Sequence, residues 1–316
     1  MKMNDVAIAI DLGGTNLRMA IVDESGKVIH WCQQATPGDR ESIVRTIETF
    51  VGDGFGFSTT SGYGVVGVGV STGGQVDFAN GVIVDSTSLI AGWKNVPLRS
   101  ALEEKFGHRV FVDNDGNCFA LAEKHFGKGK GVANFIAMVL GTGIGGGICV
   151  DGKILRGSKN FAAEIGHVSI DFDGPVCSCG GRGCIELYAS GSGIARWAAE
   201  EPALQHLRSD GMEFSSKVIG EAALNGDHAA FSLLAAAGER LGIAVAGLVN
   251  VFNPESIILS GSLIELEHPF LRQFRKTVMD VAMKSNSESL RIENSDFPKE
   301  GGILGAAALV FEEMAD

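Results

Sequence analysis

Short apolar blocks separated by glycine and polar turns run along the chain, and their spacing predicts most of its elements. VAIAIDLG (6–13) and LRMAIVDE (17–24) read as two strands around a tight GGTN turn, and an ESGK turn leads to a third strand, VIHWCQQ (28–34). ESIVRTIETFV (41–51) carries apolar residues at helical spacing, and the apolar strand VVGVGVS (65–71) follows. HRVFVDND (108–115) reads as a strand that runs straight into the helix-like GNCFALAEKHFG (116–127). This order is α/β, and the opening hairpin excludes a purely parallel sheet.

The pattern then returns. ANFIAMVLGTG (133–143) and IGGGICVDGKIL (144–155) form a second hairpin with a glycine-rich turn. Helical stretches from Leu187 through Val251, a strand SIILSGS (256–262), a helix around His268–Ser285 and a strand SLRIENS (289–295) follow. The repeat of strand, Gly-Thr-rich turn and strand at Gly13–Asn16 and at Gly141–Gly147 predicts two related halves facing one another. GGILGAAALVFEEM (301–314) reads as an amphipathic helix that returns to the first half. The expected division is an N-terminal lobe, 1–117, completed by 301–316, and a C-terminal lobe, 118–300, with a ligand cleft between them.

Composition narrows the partners. The 316 residues are 45% hydrophobic and 20% charged, as in ordinary soluble globular proteins. No uninterrupted apolar run reaches the roughly 18 residues of a bilayer span, so no membrane partner is expected. A formal net charge of −12 argues against nucleic acid, which is met by basic faces. Few residues precede the strand at Val6, leaving no room there for a helix-turn-helix module, and no signal peptide is seen, which predicts a cytoplasmic protein. The 44 glycines cluster in turns between strands, pointing to close backbone contacts with a ligand.

Three of the six cysteines stand in the segment HVSIDFDGPVCSCGGRGCIE (167–186). His167, Cys177, Cys179 and Cys184 make a full Cys₃His set for a tetrahedral Zn²⁺, and without a secretory context a disulfide is the weaker reading. With four protein ligands such an ion is structural, its job being to hold the flanking Glu164 and Glu186 in place. DLGGTN (11–16) and LGTGIGGG (140–147) bring backbone N–H groups and a threonine hydroxyl within reach of phosphate oxygens, and Asp11 could hold Mg²⁺ through water. Neither is a Walker A loop or a Rossmann turn, because no Gly-Lys-Ser/Thr follows and each leads into a strand. FVDNDGN (111–117) places two aspartates and two asparagines where a strand meets a helix. One of the four can cap that helix, and a carboxylate here could take a hydroxyl proton as the oxygen attacks a γ-phosphate. Spacing does not choose between Asp113 and Asp115.

With these residues the chain resembles, essentially end to end, the ROK family of sugar kinases, a branch of the actin-like, sugar-kinase and heat-shock ATPase superfamily. DLGGTN and LGTGIGGG match its two phosphate motifs, and AAEIGHVSIDFDGPVCSCGGRGCIELYASG matches its ExGH…CxCGxxGCxE signature. The resemblance implies two actin-like (ribonuclease H-like) lobes with a nucleotide and sugar cleft between them. It implies Asp115 as catalytic base, and Asn114, Glu164, His167 and Glu186 as sugar ligands, His167 serving zinc as well. ATP with Mg²⁺ would lie on Asp11, Gly13, Gly14, Thr15 and Asn16 and on Gly141, Thr142 and Gly143, with the loop around Gly261 flanking the adenosine. The family commonly forms dimers, so a homodimer is expected, and it also includes sugar-sensing repressors.

For the substrate, STGGQVDFANGVIVDSTSLIAGW (71–93) has Gly73-Gly74 where glucokinases of the family usually carry Pro-Gly. This stretch is most similar to N-acetylmannosamine kinases, in particular the kinase half of the bifunctional animal enzyme of sialic acid synthesis. Gln75 stands where those enzymes have arginine. Gly74 and Thr87 would line the space for a 2-acetamido group. The expectation is phosphorylation of the 6-hydroxyl of N-acetylmannosamine, with glucose or N-acetylglucosamine as alternative substrates.

Overall fold

β1 (Asp5–Leu12) pairs antiparallel with β2 (Asn16–Asp23), and β2 pairs antiparallel with β3 (Val28–Ala35), in a computed structural model that describes residues 5–86, 92–208 and 213–315. The register Leu12↔Leu17 closes the hairpin on the GGTN turn. α1 (Arg40–Ser61) starts at an Asp39 cap whose carboxylate accepts from the Ser42 backbone N–H, and it leads to β4 (Gly64–Thr72), parallel to β1. α1 outlasts the expected 41–51 segment because Ile43, Ile47, Phe50, Val51, Gly54 and Ser58 keep a buried face through its glycine-rich second half. β5 (Gln75–Asp77) and β6 (Val82–Asp85) form a small hairpin, and α2 (Leu98–Phe106) precedes β7 (Val110–Asn114), parallel to β4. β5 and β6 are too short to establish a period, which is why the apolar pattern did not reveal that hairpin. The sheet order is β3-β2-β1-β4-β7.

α3 (Asp115–Phe126) follows β7 directly, and a second round begins with β8 (Phe135–Leu140), β9 (Ile144–Val150) and β10 (Lys153–Ile154). α4 (Glu186–Ala189), α5 (Gly191–Glu200), α6 (Ser216–Leu224) and α7 (His228–Phe252) lead to β11 (Ser256–Ser260). The single helix expected around His268–Ser285 is two, α8 (Arg272–Val281) and α9 (Lys284–Ser287). The break falls at Ala282 and Met283, whose backbone is extended (ψ 151° and 132°), and helical backbone begins at Pro269 because His268 before it is extended, at φ −125° and ψ 124°. β12 (Arg291–Asn294) and α10 (Gly301–Ala315) complete the described chain. The second sheet, β10-β9-β8-β11-β12, repeats the first: two antiparallel pairings from the outer strand inward, then two parallel ones.

α3 packs on β8 and β9, α10 packs on β1 and β4, and the two helices pack on each other. One apolar core therefore runs from Ala7 and Ala9 through Val310, Ala306 and Leu121 to Ala137 and Ile258. The amphipathic pattern expected of α10 is not what the fold uses. Gly301 and residues 303–310 are buried all round the helix, because one face meets a sheet and the other meets α3. α7 is long and apolar enough to cross a membrane by length and composition, although no uninterrupted apolar run in it reaches about 18 residues. Glu239 and Arg240 interrupt its apolar run, which hid it, and in the fold Leu233, Leu234, Ala237, Leu241, Val245 and Val249 build the outer core of the second half.

Candidate active site

The turn from β7 into α3 sorts the four polar residues of FVDNDGN by environment. Asp113 is wholly buried, and each oxygen is spoken for: Oδ1 accepts from the Asn114 backbone N–H at 2.8 Å and from Asn117 Nδ2 at 2.9 Å, and Oδ2 from Arg156 Nε at 2.9 Å. Asn114 is the helix cap, its Oδ1 accepting from Gly116 and Asn117 backbone N–H groups while its Nδ2 donates to the Gly74 carbonyl at 2.9 Å. Asp115 alone presents its carboxylate to solvent, accepting one hydrogen bond, from its neighbour Gly116. Crowding by protein around this exposed tip pushes its pKa up to about 6, with the negative charges of Asp11 and Glu164 adding to the shift. A Cβ on Gly73 would lie 3.8 Å from Asp115 Oδ2, so the STGG turn borders the carboxylate. Gly74 has φ 101°, and a Cβ there would come within 2.5 Å of the Asp85 carbonyl, so only glycine fits.

The two glycine turns occupy matching places in the two sheets. Between β1 and β2, Gly13 N donates to the Asn16 carbonyl at 3.0 Å, and Thr36 braces the turn by donating its Oγ1 to the Gly13 carbonyl at 2.6 Å. Gly14 and Thr15 at its tip are exposed and Asn16 is half-buried. Between β8 and β9, Gly141 N donates to the Gly143 carbonyl, and α5 supports the turn through Gly191 N to the Gly141 carbonyl and Ser192 N to the Thr142 carbonyl. Asp11, at the end of β1, is raised above the ordinary carboxylate range by burial, against the opposing pull of Arg18. Gly302, in the first turn of α10, lies against its carboxylate, so a helix N-terminus faces Asp11. Gly261 is close to the Leu140 carbonyl, next to the second turn.

Glu164 lies on the long connection after β10, immediately after Ala163, whose φ of 66° is a left-handed conformation that alanine rarely adopts. Burial raises the pKa of Glu164; His167 opposes this and Glu186 reinforces it, so the three groups share one field. Glu186, at the start of α4, accepts from the Ile144 backbone N–H through Oε2 at 2.9 Å. A Cβ on Gly143 would stand 2.6 Å from that oxygen, so the second turn and Glu186 pack directly together.

His167, Cys177, Cys179 and Cys184 converge. All four donor atoms lie within 4.8 Å of one another, with Cys177 Sγ 3.6 Å from His167 Nδ1 and Cys179 Sγ 3.6 Å from Cys184 Sγ. A tetrahedral zinc at its usual Zn–S distance of about 2.3 Å separates sulfurs by about 3.8 Å, so the donors fit this ion. With Nδ1 turned to the thiols, the imidazole keeps Nε2 for another partner.

The structure thus brings Asp11, Asp115, Glu164, His167 and Glu186 into one electrostatic neighbourhood between the two turns. Thr87 lies outside the described residues. Two neighbours of the site were not read in the sequence. Arg156 stands in no motif, and Gly302 was read only as part of a helix, although paired glycines at a helix start are a mark of close approach.

Matched sheets, a glycine turn on each and carboxylates between them define a two-lobed α/β protein of the actin-like class. The chain belongs to the ROK family, which matches it over residues 7–313. A glucokinase of Thermotoga maritima is 33% identical over 97% of this chain and 98% of its own length. A xylose repressor of Caldicellulosiruptor bescii is 30% identical over 97% of this chain and 78% of the repressor. The crystal structure of a ROK family glucokinase from Streptomyces griseus, in complex with glucose and AMPPNP, is similar at a TM-score of 0.80 and 31% identity, covering 97% of this chain and 99% of that one.

Proposed function

We propose that this protein transfers the γ-phosphate of ATP to the 6-hydroxyl of N-acetylmannosamine. The observation that carries the kinase reading is the contrast between Asp113, whose oxygens are fully engaged, and Asp115, which is open to the cleft with a pKa poised near 6. In this reading Asp115 accepts the hydroxyl proton as the oxygen attacks phosphorus. Asn114, Glu164 and Glu186 orient the sugar hydroxyls together with His167, which would use Nε2. Glu186 keeps Oε1 for this because Oε2 serves Ile144. The turn amides of Gly13, Gly14, Thr15 and Asn16 and of Gly141, Thr142 and Gly143 receive the phosphates, and Gly261 flanks the adenosine. Mg²⁺, when bound, would offset the charge of the transferring phosphate, with Asp11 holding it through water. Zinc would anchor the loop between His167 and Glu186 and take no part in the chemistry. Residues 1–117 with 301–316 and residues 118–300 would form the two lobes, and the protein would act as a homodimer.

The N-acetyl preference is supported by the similarity of residues 71–93 to N-acetylmannosamine kinases, with Gly73 standing where glucokinases usually carry proline. Glucose is the second reading, favoured by the full-length likeness to the Thermotoga maritima glucokinase. ATP consumption with N-acetylmannosamine, glucose and N-acetylglucosamine at saturating ATP·Mg tests both. The highest kcat/KM is expected for N-acetylmannosamine. A preference for glucose overturns the substrate and leaves the kinase reading standing. Sugar binding without turnover on any of the three overturns the kinase reading in favour of a sugar sensor.

A further inference from the structure

Arg156 follows β10 on the same connection that carries Glu164, yet its guanidinium reaches into the first half of the molecule. Nε donates to the buried Asp113 at 2.9 Å, two residues before Asp115. Asp113 in turn holds the Asn114 backbone N–H and the Asn117 side chain, the beginning of α3 from which Asp115 projects. The guanidinium carbon lies 3.9 Å from the ring centroid of Phe78, in the turn between β5 and β6. Asn160, four residues on, donates to Asp77 of the same hairpin at 3.2 Å. Arg156 Nη2 is buried and makes no hydrogen bond among the described residues, so stacking on Phe78 supplies much of what holds the fork.

We infer that Arg156 is a positioning residue that locks the turn bearing Asp115 to the loop bearing Glu164. The inference rests on the reading of Asp115 as the base. Two features demand such an anchor. A buried carboxylate stripped of its cationic partner is strongly unfavourable, so Asp113 would rotate or take up a proton and release the start of α3. The loop itself holds Asn160 and Ala163 at φ 66°, a conformation that persists only when neighbours impose it. Lysine keeps the charge but has neither the planar face for Phe78 nor Nε for Asp113.

The test uses Arg156→Gln, Arg156→Lys, Asp113→Asn and the double variant Arg156→Gln/Asp113→Asn in the full chain, with two readouts. By hydrogen exchange, Arg156→Gln should speed exchange in residues 114–117 and 157–164 together, with the rest of the chain unchanged. In steady state it should lower kcat about 10- to 100-fold and raise the sugar KM, leaving the ATP KM within about twofold, as displacement of positioned groups does. Arg156→Lys should recover part of the loss. The double variant should be less impaired than the product of the single losses, because no unpaired charge remains. Faster exchange confined to 157–164, faster exchange spread over the whole chain, or a kcat within twofold of the parent would each overturn the inference. If Asp115→Asn keeps full turnover, the base reading fails instead, and the exchange pattern still decides whether Arg156 couples the two segments. Should Arg156→Gln not fold, Arg156→Lys carries both readouts.

Discussion

Asp115 should set the acid limb of sugar phosphorylation. Its carboxyl is pushed up to about 6, first by crowding that removes water and then by the charges of Asp11 and Glu164, while the Gly116 N–H pulls the other way. A base works only when unprotonated, so kcat/KM should be about half its plateau at pH 6 and about a tenth at pH 5. A carboxylate at its ordinary value would keep more than about nine-tenths at pH 5, so the expected difference is roughly tenfold. Glu164→Gln removes one like charge and should move the limb down, whatever it does to sugar affinity. Initial rates from about pH 4.5 to about 8.5, at constant ionic strength and saturating ATP·Mg with sugar varied, give the limb. An ionisation of ATP itself would stay put in Glu164→Gln, whereas the limb of Asp115 moves. The stability sign runs opposite to the usual carboxylate. A raised folded value means the protonated form favours folding, so stability falls as pH rises toward about 6, and Asp115→Asn should melt higher than the parent above that pH. A parent kcat/KM at pH 5 within twofold of its plateau would refute the reasoning.

Asp115→Asn should lower kcat by at least about 100-fold while calorimetry still detects sugar binding; near-normal kcat would return the base role to another group. Metal analysis should find one zinc per chain, and Cys179→Ser should lower thermal stability and sugar affinity together, whereas a metal-free, fully active protein would remove the ion from the account. Glu312 bridges α10 to α3 through Lys124 at 2.6 Å and His125 at 2.7 Å. Burial alone would raise its pKa, but these partners outweigh it and hold the carboxyl at about 2. Its contribution, at most about 3 kcal/mol, is present above the ordinary value and lost as pH falls toward about 2. Urea midpoints at neutral and acid pH should therefore diverge less in Glu312→Gln than in the parent, and an equal decline in both would contradict the assignment.

Local signals carried far. β1, β2, β8 and β9 were readable because short apolar runs and a glycine turn are properties of neighbouring residues. The convergence of His167, Cys177, Cys179 and Cys184 was readable because residue types and spacing nearly describe such a cluster. The β5–β6 hairpin and the break at Ala282–Met283 were not read, the first because it is too short to show a period. α10 was misjudged for a different reason: a helix between two layers is buried all round, and no stretch of sequence states how many layers will enclose it.

By itself, then, the sequence determined the alternation of elements, the duplication of a glycine-turn hairpin and the chemical types gathered at each turn, since these depend on contacts a few residues apart. Which of Asp113 and Asp115 is buried and engaged, and which is exposed, belongs to the tertiary structure. They are chemically identical and two positions apart, and what separates them is that Asp113 is buried and pairs with Arg156, 43 residues away, whereas Asp115 is exposed. A carboxylate's protonation and freedom are set by what is packed against it, and only the folded chain brings that partner there.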